Sequence, residues 1–211
     1  MMNNIKNNKN LIEQLGVLNT KVSHGAVSLQ PSTSLPFNPN FITGFSDGEA
    51  TFTVSIAKDN RERKTARRLS INAEREIFSV HPSFAISLNV KDKGIIYSLQ
   101  SYFGVGKIKQ DLSHNAIVLY VNSVEELTRV IIPFFDKYPL ITQKRADFLL
   151  FKMAVGLIND GAHLNLEGLR KLVAIKASMN KGLSEKLALH FPDITPVVRP
   201  VVDNQEIQDP H

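Results

Sequence analysis

Asp47 and Glu49 stand two residues apart at the end of a short apolar segment, Phe41-Ile42-Thr43-Gly44-Phe45-Ser46-Asp47-Gly48-Glu49-Ala50. If that segment is a helix, both carboxylates fall near its partially negative C-terminus, where acids are disfavoured unless a cation joins them. Gly44 and Gly48 are four residues apart and share one helix face, and without Cβ atoms they let a second backbone approach closely. A close-packed pair of such helices delivers carboxylates to one point, which is a site for a divalent metal. Asp47 has a competing role, satisfying backbone groups where the helix ends, and that is the role expected of it.

The elements that must position this segment can be read from periodicity. Asn38 and Pro39 fit the N-cap and first-turn positions of the motif helix. The run that follows it places Phe52, Val54 and Ile56 on one face and Thr51, Thr53 and Ser55 on the other. A second strand repeats the pattern, with Phe84, Ile86, Leu88 and Val90 set against Ser83, Ser87, Asn89 and Lys91. Ile95, Ile96, Leu99 and Phe103 then form the inner face of a helix that stops near Gly104. Two further strands are predicted over Lys107 to Asp111 and Ala116 to Val121. Ser123 and Glu126 signal a capping box, and Pro133 should kink or shorten the helix it opens. Thr142 is the expected N-cap of a helix carrying Ala146, Leu149, Leu150 and Met153 inward. Asn165 opens a last helix that ends near Asn180 and Gly182.

Composition bounds what such a chain can be. Its 211 residues fit one domain with flanking segments, and 43% hydrophobic residues can fill a core. No apolar run approaches the ~18 residues of a membrane span, so no membrane partner is expected. There are no cysteines, which excludes disulfides and cysteine-ligated zinc, and the six histidines show no metal-ligand spacing. The net charge of +5 is a mild bias towards polyanions. It is concentrated between Lys58 and Arg75, where Lys58, Arg61, Arg63, Lys64, Arg67, Arg68 and Arg75 face three acids. Residues 1–37, rich in Asn and then in Ser, Thr and Pro, read as a disordered leader that makes a poor transit peptide. Residues 193–211 read as a linker.

The motif resembles the signature of the LAGLIDADG homing endonucleases, with Ala50 in place of its final glycine. Further segments resemble the same family in the expected order. They are Ser83-Phe84-Ala85-Ile86-Ser87-Leu88, Phe103-Gly104-Val105-Gly106-Lys107-Ile108 and Tyr138-Pro139-Leu140-Ile141-Thr142-Gln143-Lys144-Arg145, followed by His163-Leu164-Asn165-Leu166-Glu167-Gly168-Leu169 and Ile175-Lys176-Ala177-Ser178-Met179-Asn180-Lys181-Gly182-Leu183. The resemblance covers residues 38–192 and is strongest to two-motif proteins encoded in fungal mitochondrial introns. It implies an α+β domain of order α-β-β-α-β-β-α whose four-stranded antiparallel sheet forms a saddle over the DNA major groove.

The resemblance also implies roles. Glu49 matches the metal-binding acid, with the Gly48 carbonyl facing the same ion and Mg2+ as the cofactor. Gln143 and Lys144 match a region at the edge of the catalytic site, although an ordinary helix start would explain them equally. Thr53, Ser55, Lys58, Arg61, Arg63, Arg67, Arg68, Ser83, Ser87, Asn89, Lys107 and Lys109 match the DNA-binding surface, where a merely solvated sheet face is the plainer alternative. Phe41, Gly44, Phe45 and Gly48 match the face on which two motif helices pair. Only one such motif is present, so the expected function is half of a site-specific double-strand DNA endonuclease of intron homing, active with a second half and mitochondrial by resemblance. The alternatives are an RNA-binding maturase that helps a group I intron splice without cleaving, and an inactive DNA-binding remnant.

Overall fold

Strict alternation of apolar and polar residues fits a half-buried strand, and the sheet forms where the alternation is cleanest. The structure, a computed structural model, describes residues 37–58 and 78–202. The predicted leader, Phe37 apart, and the loop arginines Arg61, Arg63, Arg67 and Arg68 lie outside the described residues. Helix α1 (Pro39–Glu49) runs directly into β1 (Ala50–Lys58), and β2 (Phe78–Asn89) returns antiparallel to it. Helix α2 (Lys93–Phe103) leads to the hairpin β3 (Lys107–Asp111) and β4 (Ala116–Val121). The sheet order is β1-β2-β4-β3, antiparallel throughout, as the resemblance implies.

The inner face of the sheet carries Phe52, Val54, Ile56, Phe84, Ile86, Ile117, Leu119 and Val121, all buried. Helices cover it: Ile96, Leu99 and Phe103 come from α2, and Phe135 from α4 (Ile132–Lys137). Phe148, Phe151, Ala154 and Val155 come from α5 (Lys144–Asn159), while Leu169, Leu172 and Val173 of α6 (Leu166–Ala177) complete the layer. A short α7 (Glu185–His190), which the periodicity did not announce, seals one end with Leu187 and Phe191.

Two glycines explain two of the family-like segments. Gly106, at φ +86°, lies so close to β4 that a Cβ would meet the Val121 side chain at 2.8 Å, so the turn into β3 accepts only glycine. At Gly168 a Cβ would sit 2.1 Å from the Ala162 carbonyl, which lets the turn Ala162–Leu164 pack flat on the start of α6.

Several expectations need correction. Val90 is not the last inward residue of β2. It begins a 3-10 turn, because the Asn89 side chain accepts from the Lys91 N–H and ends the ladder. The helix expected to be kinked or shortened at Pro133 is broken into three short pieces rather than ended. After α3 (Val124–Glu126) the track widens to a π turn (Leu127–Ile131), and Pro133 then falls in the first turn of α4, where its missing N–H costs least. Met153 is 52% exposed. The buried residues of α5 sweep an arc of about 200° at 100° per residue, because this helix packs on β1, β2 and α6 at once, and Met153 lies just outside it. Packing also continues past Pro192. Ile194 and Val197 rest on the core, and the Val197 N–H donates to the Ala174 carbonyl at 3.2 Å. At the other end Phe37 stacks on Phe41 at 5.2 Å and so belongs with α1.

Candidate functional site

The site is built where α1 ends. Asn38 caps the helix by accepting from the Asn40 N–H at 2.9 Å, and Pro39 opens its first turn. Ile42, Thr43 and Ser46 point into the domain, and the Thr43 hydroxyl donates to the Tyr138 carbonyl at 3.0 Å. Phe41, Gly44 and Gly48 lie exposed on the opposite arc, and Phe45, half-buried, borders that arc while its ring also packs against the core. Phe41 is 47% exposed, Phe41 and Phe45 stack at 5.7 Å, and the space beside both glycines is open. Ala50 takes φ −80° and ψ 156°, an ordinary extended conformation, so this turn has no need of the signature's final glycine.

The acids at the helix end divide their work. Asp47 does not cap its own helix. Its Oδ2 accepts from the Ile141 N–H at 2.9 Å, and its Oδ1 accepts from the Thr142 hydroxyl at 2.7 Å and the Thr142 N–H at 3.3 Å. It thereby ties α1 to the start of α5, 94 residues away. Glu49 is exposed and has no hydrogen-bond partner among the described residues.

Lys144 reaches back from the first turn of α5. Its Nζ donates to the Ser46 carbonyl at 3.1 Å and the Gly48 carbonyl at 3.0 Å. These carbonyls at the negative helix end attract a cation, and an ammonium sits on them. Burial pushes the Lys144 amine below its usual 10.5, while the charges of Asp47, Glu49 and Asp147 oppose that shift. Gln143 is apart from this contact. Its carbonyl instead accepts from Arg199 Nη2 at 3.0 Å.

Arg199 and Asp147 were not singled out by sequence, and Asn180 only as a helix end. Arg199 Nη1 donates to Asp147 Oδ1 at 2.7 Å and to the Ser178 carbonyl at 3.0 Å. Asp147 also accepts from the Asn180 N–H at 3.0 Å, and the Asn180 side chain donates to the Phe52 carbonyl on the edge strand β1 at 2.9 Å. Burial alone would raise the Asp147 pKa, but the bonds from Arg199 and Asn180 with the charges of Arg199 and Lys144 outweigh it and hold the carboxyl below its usual 3.8. No local pattern reveals this cluster, because its members are separated by as many as 52 residues.

The register puts the predicted polar residues on one face of the sheet. Thr53 pairs with Ser83, Ser87 with Val118, Val118 with Lys109, and Tyr120 with Lys107, and paired residues point the same way. Ser55 and Asn89 are exposed on this face. Lys58, exposed at the end of β1, instead pairs with Phe78 and alternates onto the side of Phe52, Val54 and Ile56, so the register does not bring it to the polar face. His81 and Tyr120 share this face and were missed, since each sits in an otherwise ordinary alternation.

Helix, acids, lysine and polar sheet converge with the comparisons. The sequence profile of the family described as LAGLIDADG endonuclease matches residues 42–155. The chain is 40% identical over 173 residues to "Probable intron-encoded endonuclease 3" of Neurospora crassa, covering 82% of the chain and 30% of that relative. Among solved structures, the I-SmaMI LAGLIDADG homing endonuclease bound to cleaved DNA superimposes with TM-score 0.71 at 37% identity, covering 82% of the chain and 54% of that protein. The LAGLIDADG meganuclease I-CpaMI bound to uncleaved DNA gives the same TM-score at 39% identity, covering 82% and 55%. The chain thus spans about half the length of these two structures and less than a third of the Neurospora protein. A motif helix ending in an exposed acid, joined to a polar four-stranded sheet and matched at this level over most of the chain, identifies it as a member of the LAGLIDADG endonuclease family.

Proposed function

We propose that the chain forms one half of a site-specific double-strand DNA endonuclease of intron homing, cutting with a divalent metal once a second motif helix is docked. The observation that carries this reading is the division of labour at the end of α1. Asp47 is consumed by the start of α5, while Glu49 is left exposed beside a helix face whose glycines, Gly44 and Gly48, have open space next to them among the described residues. Stacked phenylalanines beside two open glycines suit another helix at close range, and exposing them to water is costly.

The donor set fits Mg2+. The Glu49 carboxylate and the Gly48 carbonyl are hard oxygen ligands; the Lys144 ammonium engages one lone pair of that carbonyl, so the second would be the one offered to an ion. Among the described residues no group of three or more His, Asp or Glu side chains could hold an ion alone, which accords with a site completed by DNA phosphate and a second half. A bound metal would activate a water and stabilise charge on the leaving oxygen. The protein's own part is to hold Glu49 at the pairing axis, to fix Lys144 beside it, and to present the sheet to the DNA. Relatives from fungi that are named intron-encoded support an origin in an intron, and we place the protein's work in the mitochondrion.

Purified chain should cut intronless target DNA with Mg2+ when supplied with a second LAGLIDADG half, or when it self-associates through residues 41–48. Sedimentation with and without DNA distinguishes the two routes. No cleavage by any assembled pair, together with tight binding of a group I intron RNA, would replace this reading with the maturase. The loop beyond β1 is open to an independent check. Replacing Arg61, Arg63, Arg67 and Arg68 with alanine should weaken DNA binding and flatten its salt dependence by roughly one slope unit per lost phosphate contact. An unchanged slope would remove the loop from the interface.

A further inference from the structure

At the start of helix α5 the Gln143 side chain makes no cap bond, and the local cap is the Thr142 hydroxyl, which accepts from the Lys144 N–H at 3.2 Å while donating to Asp47. The first turn of the helix is held from outside on two sides. Asp47 grips the backbone of Ile141 and Thr142 from α1, and Arg199 grips the Gln143 carbonyl and the Asp147 carboxylate from the segment that follows α7. Lys144 lies between these two grips. Three residues on along the same helix stands Asp147, within reach of Lys144 as an i,i+3 partner and only 17% exposed. Lys144 thus has two rival anchors, the carbonyls at the end of α1 and the Asp147 carboxylate. In the folded chain the second is already occupied by Arg199, which pairs with it at 2.7 Å and is itself braced by the Ser178 carbonyl.

The segment bearing Arg199 is seated independently. The Val197 N–H donates to the Ala174 carbonyl, the Ser178 hydroxyl donates to the Val197 carbonyl at 2.5 Å, and Ile194 and Val197 pack on the core. A guanidinium on this seated strap has its position set by α6 rather than by α5. It therefore acts on α5 as a fixed charge, not as a passenger.

We infer that Arg199 is a positioning residue for Lys144: by occupying Asp147 it denies Lys144 the intrahelical ion pair and keeps the ammonium on the Ser46 and Gly48 carbonyls beside Glu49. The inference rests on the reading of Lys144 as a site residue given above. The other charged group facing Asp147 is Lys176 of α6, whose amine burial holds below its usual value and which the charge of Asp147 partly restores. It cannot substitute for Arg199 at the Gln143 carbonyl, because a single ammonium lacks the forked geometry that spans two acceptors.

The test is a charge-specific rescue, read on the chain itself and in the assembled pair. With Arg199→Ala, nuclear Overhauser effects between the Lys144 side chain and Gly48 should disappear, and single-turnover cleavage should fall by about tenfold or more while DNA affinity holds, as expected when a catalytic group is misplaced by an ångström or so. Adding Asp147→Asn, which keeps an acceptor for the Asn180 N–H but removes the rival charge, should restore both readings. Arg199→Gln, which retains a donor and most of the packing, should behave like Arg199→Ala and serves if the alanine variant does not fold. A Lys144 side chain that stays beside Gly48 in Arg199→Gln, or a double variant that is not rescued, would overturn the inference. If Lys144 leaves Gly48 in the single variant and returns in the double one while cleavage never changes, the positioning stands and the role assigned to Lys144 is overturned instead.

Discussion

Glu49→Gln should abolish metal-dependent cleavage in any assembled pair while leaving DNA affinity and folding almost untouched. The substitution is nearly isosteric, the side chain is exposed, and it has no hydrogen-bond partner among the described residues, so surface statistics put the stability change within about 0.5 kcal/mol. The loss falls on catalysis alone. An amide is a far weaker ligand for a hard cation than a carboxylate, and stabilisation of the transition state by metal is worth several kcal/mol, or roughly a hundredfold to a thousandfold in rate. Asp47→Asn makes the useful contrast. It should weaken the tie between α1 and α5 and so reach the site indirectly, with some loss of thermal stability. Single-turnover cleavage over a Mg2+ titration, with a binding isotherm beside it, checks the first result. A Glu49→Gln pair that cuts at the native rate would remove Glu49 from the mechanism.

Phe52→Ala should be the most damaging single change to the fold. Phe52 is 1% exposed, and its ring meets Phe84 at 5.2 Å, Phe135 and Phe148 at 5.4 Å and Phe151 at 5.5 Å. It joins β1, β2, α4 and α5 at one point, so no single neighbour can move in to fill the space. Deleting such a ring costs roughly 3–5 kcal/mol, a large share of the ~5–15 kcal/mol that stabilises a domain. For a chain of this size that is a fall in Tm of about 6–20 °C. Urea unfolding followed by circular dichroism measures it, and a change below about 1 kcal/mol would mean that the cluster repacks freely. The site should suffer with the core, because the Phe52 carbonyl accepts from Asn180, which also donates to Asp147.

The strands β3 and β4 were legible to the residue, and α2 ends before Gly104 as its αL turn requires, because alternation, helical period and glycine conformation are carried by neighbouring residues. The same local signals placed Glu49, Gly44 and Gly48 on one short helix and put Thr53, Ser83, Ser87, Lys107 and Lys109 on a single sheet face. They failed where one element packs on several others. The apolar residues of α5 admit more than one buried arc, and only its packing against β1, β2 and α6 decides that Phe148 and Phe151 go in and Met153 stays out. They failed again for polar side chains with distant partners. Nothing near Asp47 says that it serves Thr142, and nothing near Asp147 says that Arg199 will reach it. A carboxylate's type limits what it can bind, but its partner is whatever donor the folded backbone brings within about 3 Å. By itself, then, the amino-acid sequence determined the order of the elements as far as α6, the two faces of the sheet and, through the resemblance, the acid that matches the metal ligand. Tertiary structure alone decided which acid is left exposed, which lysine stands beside it and what holds that lysine there, because those are distances between residues that are remote along the chain.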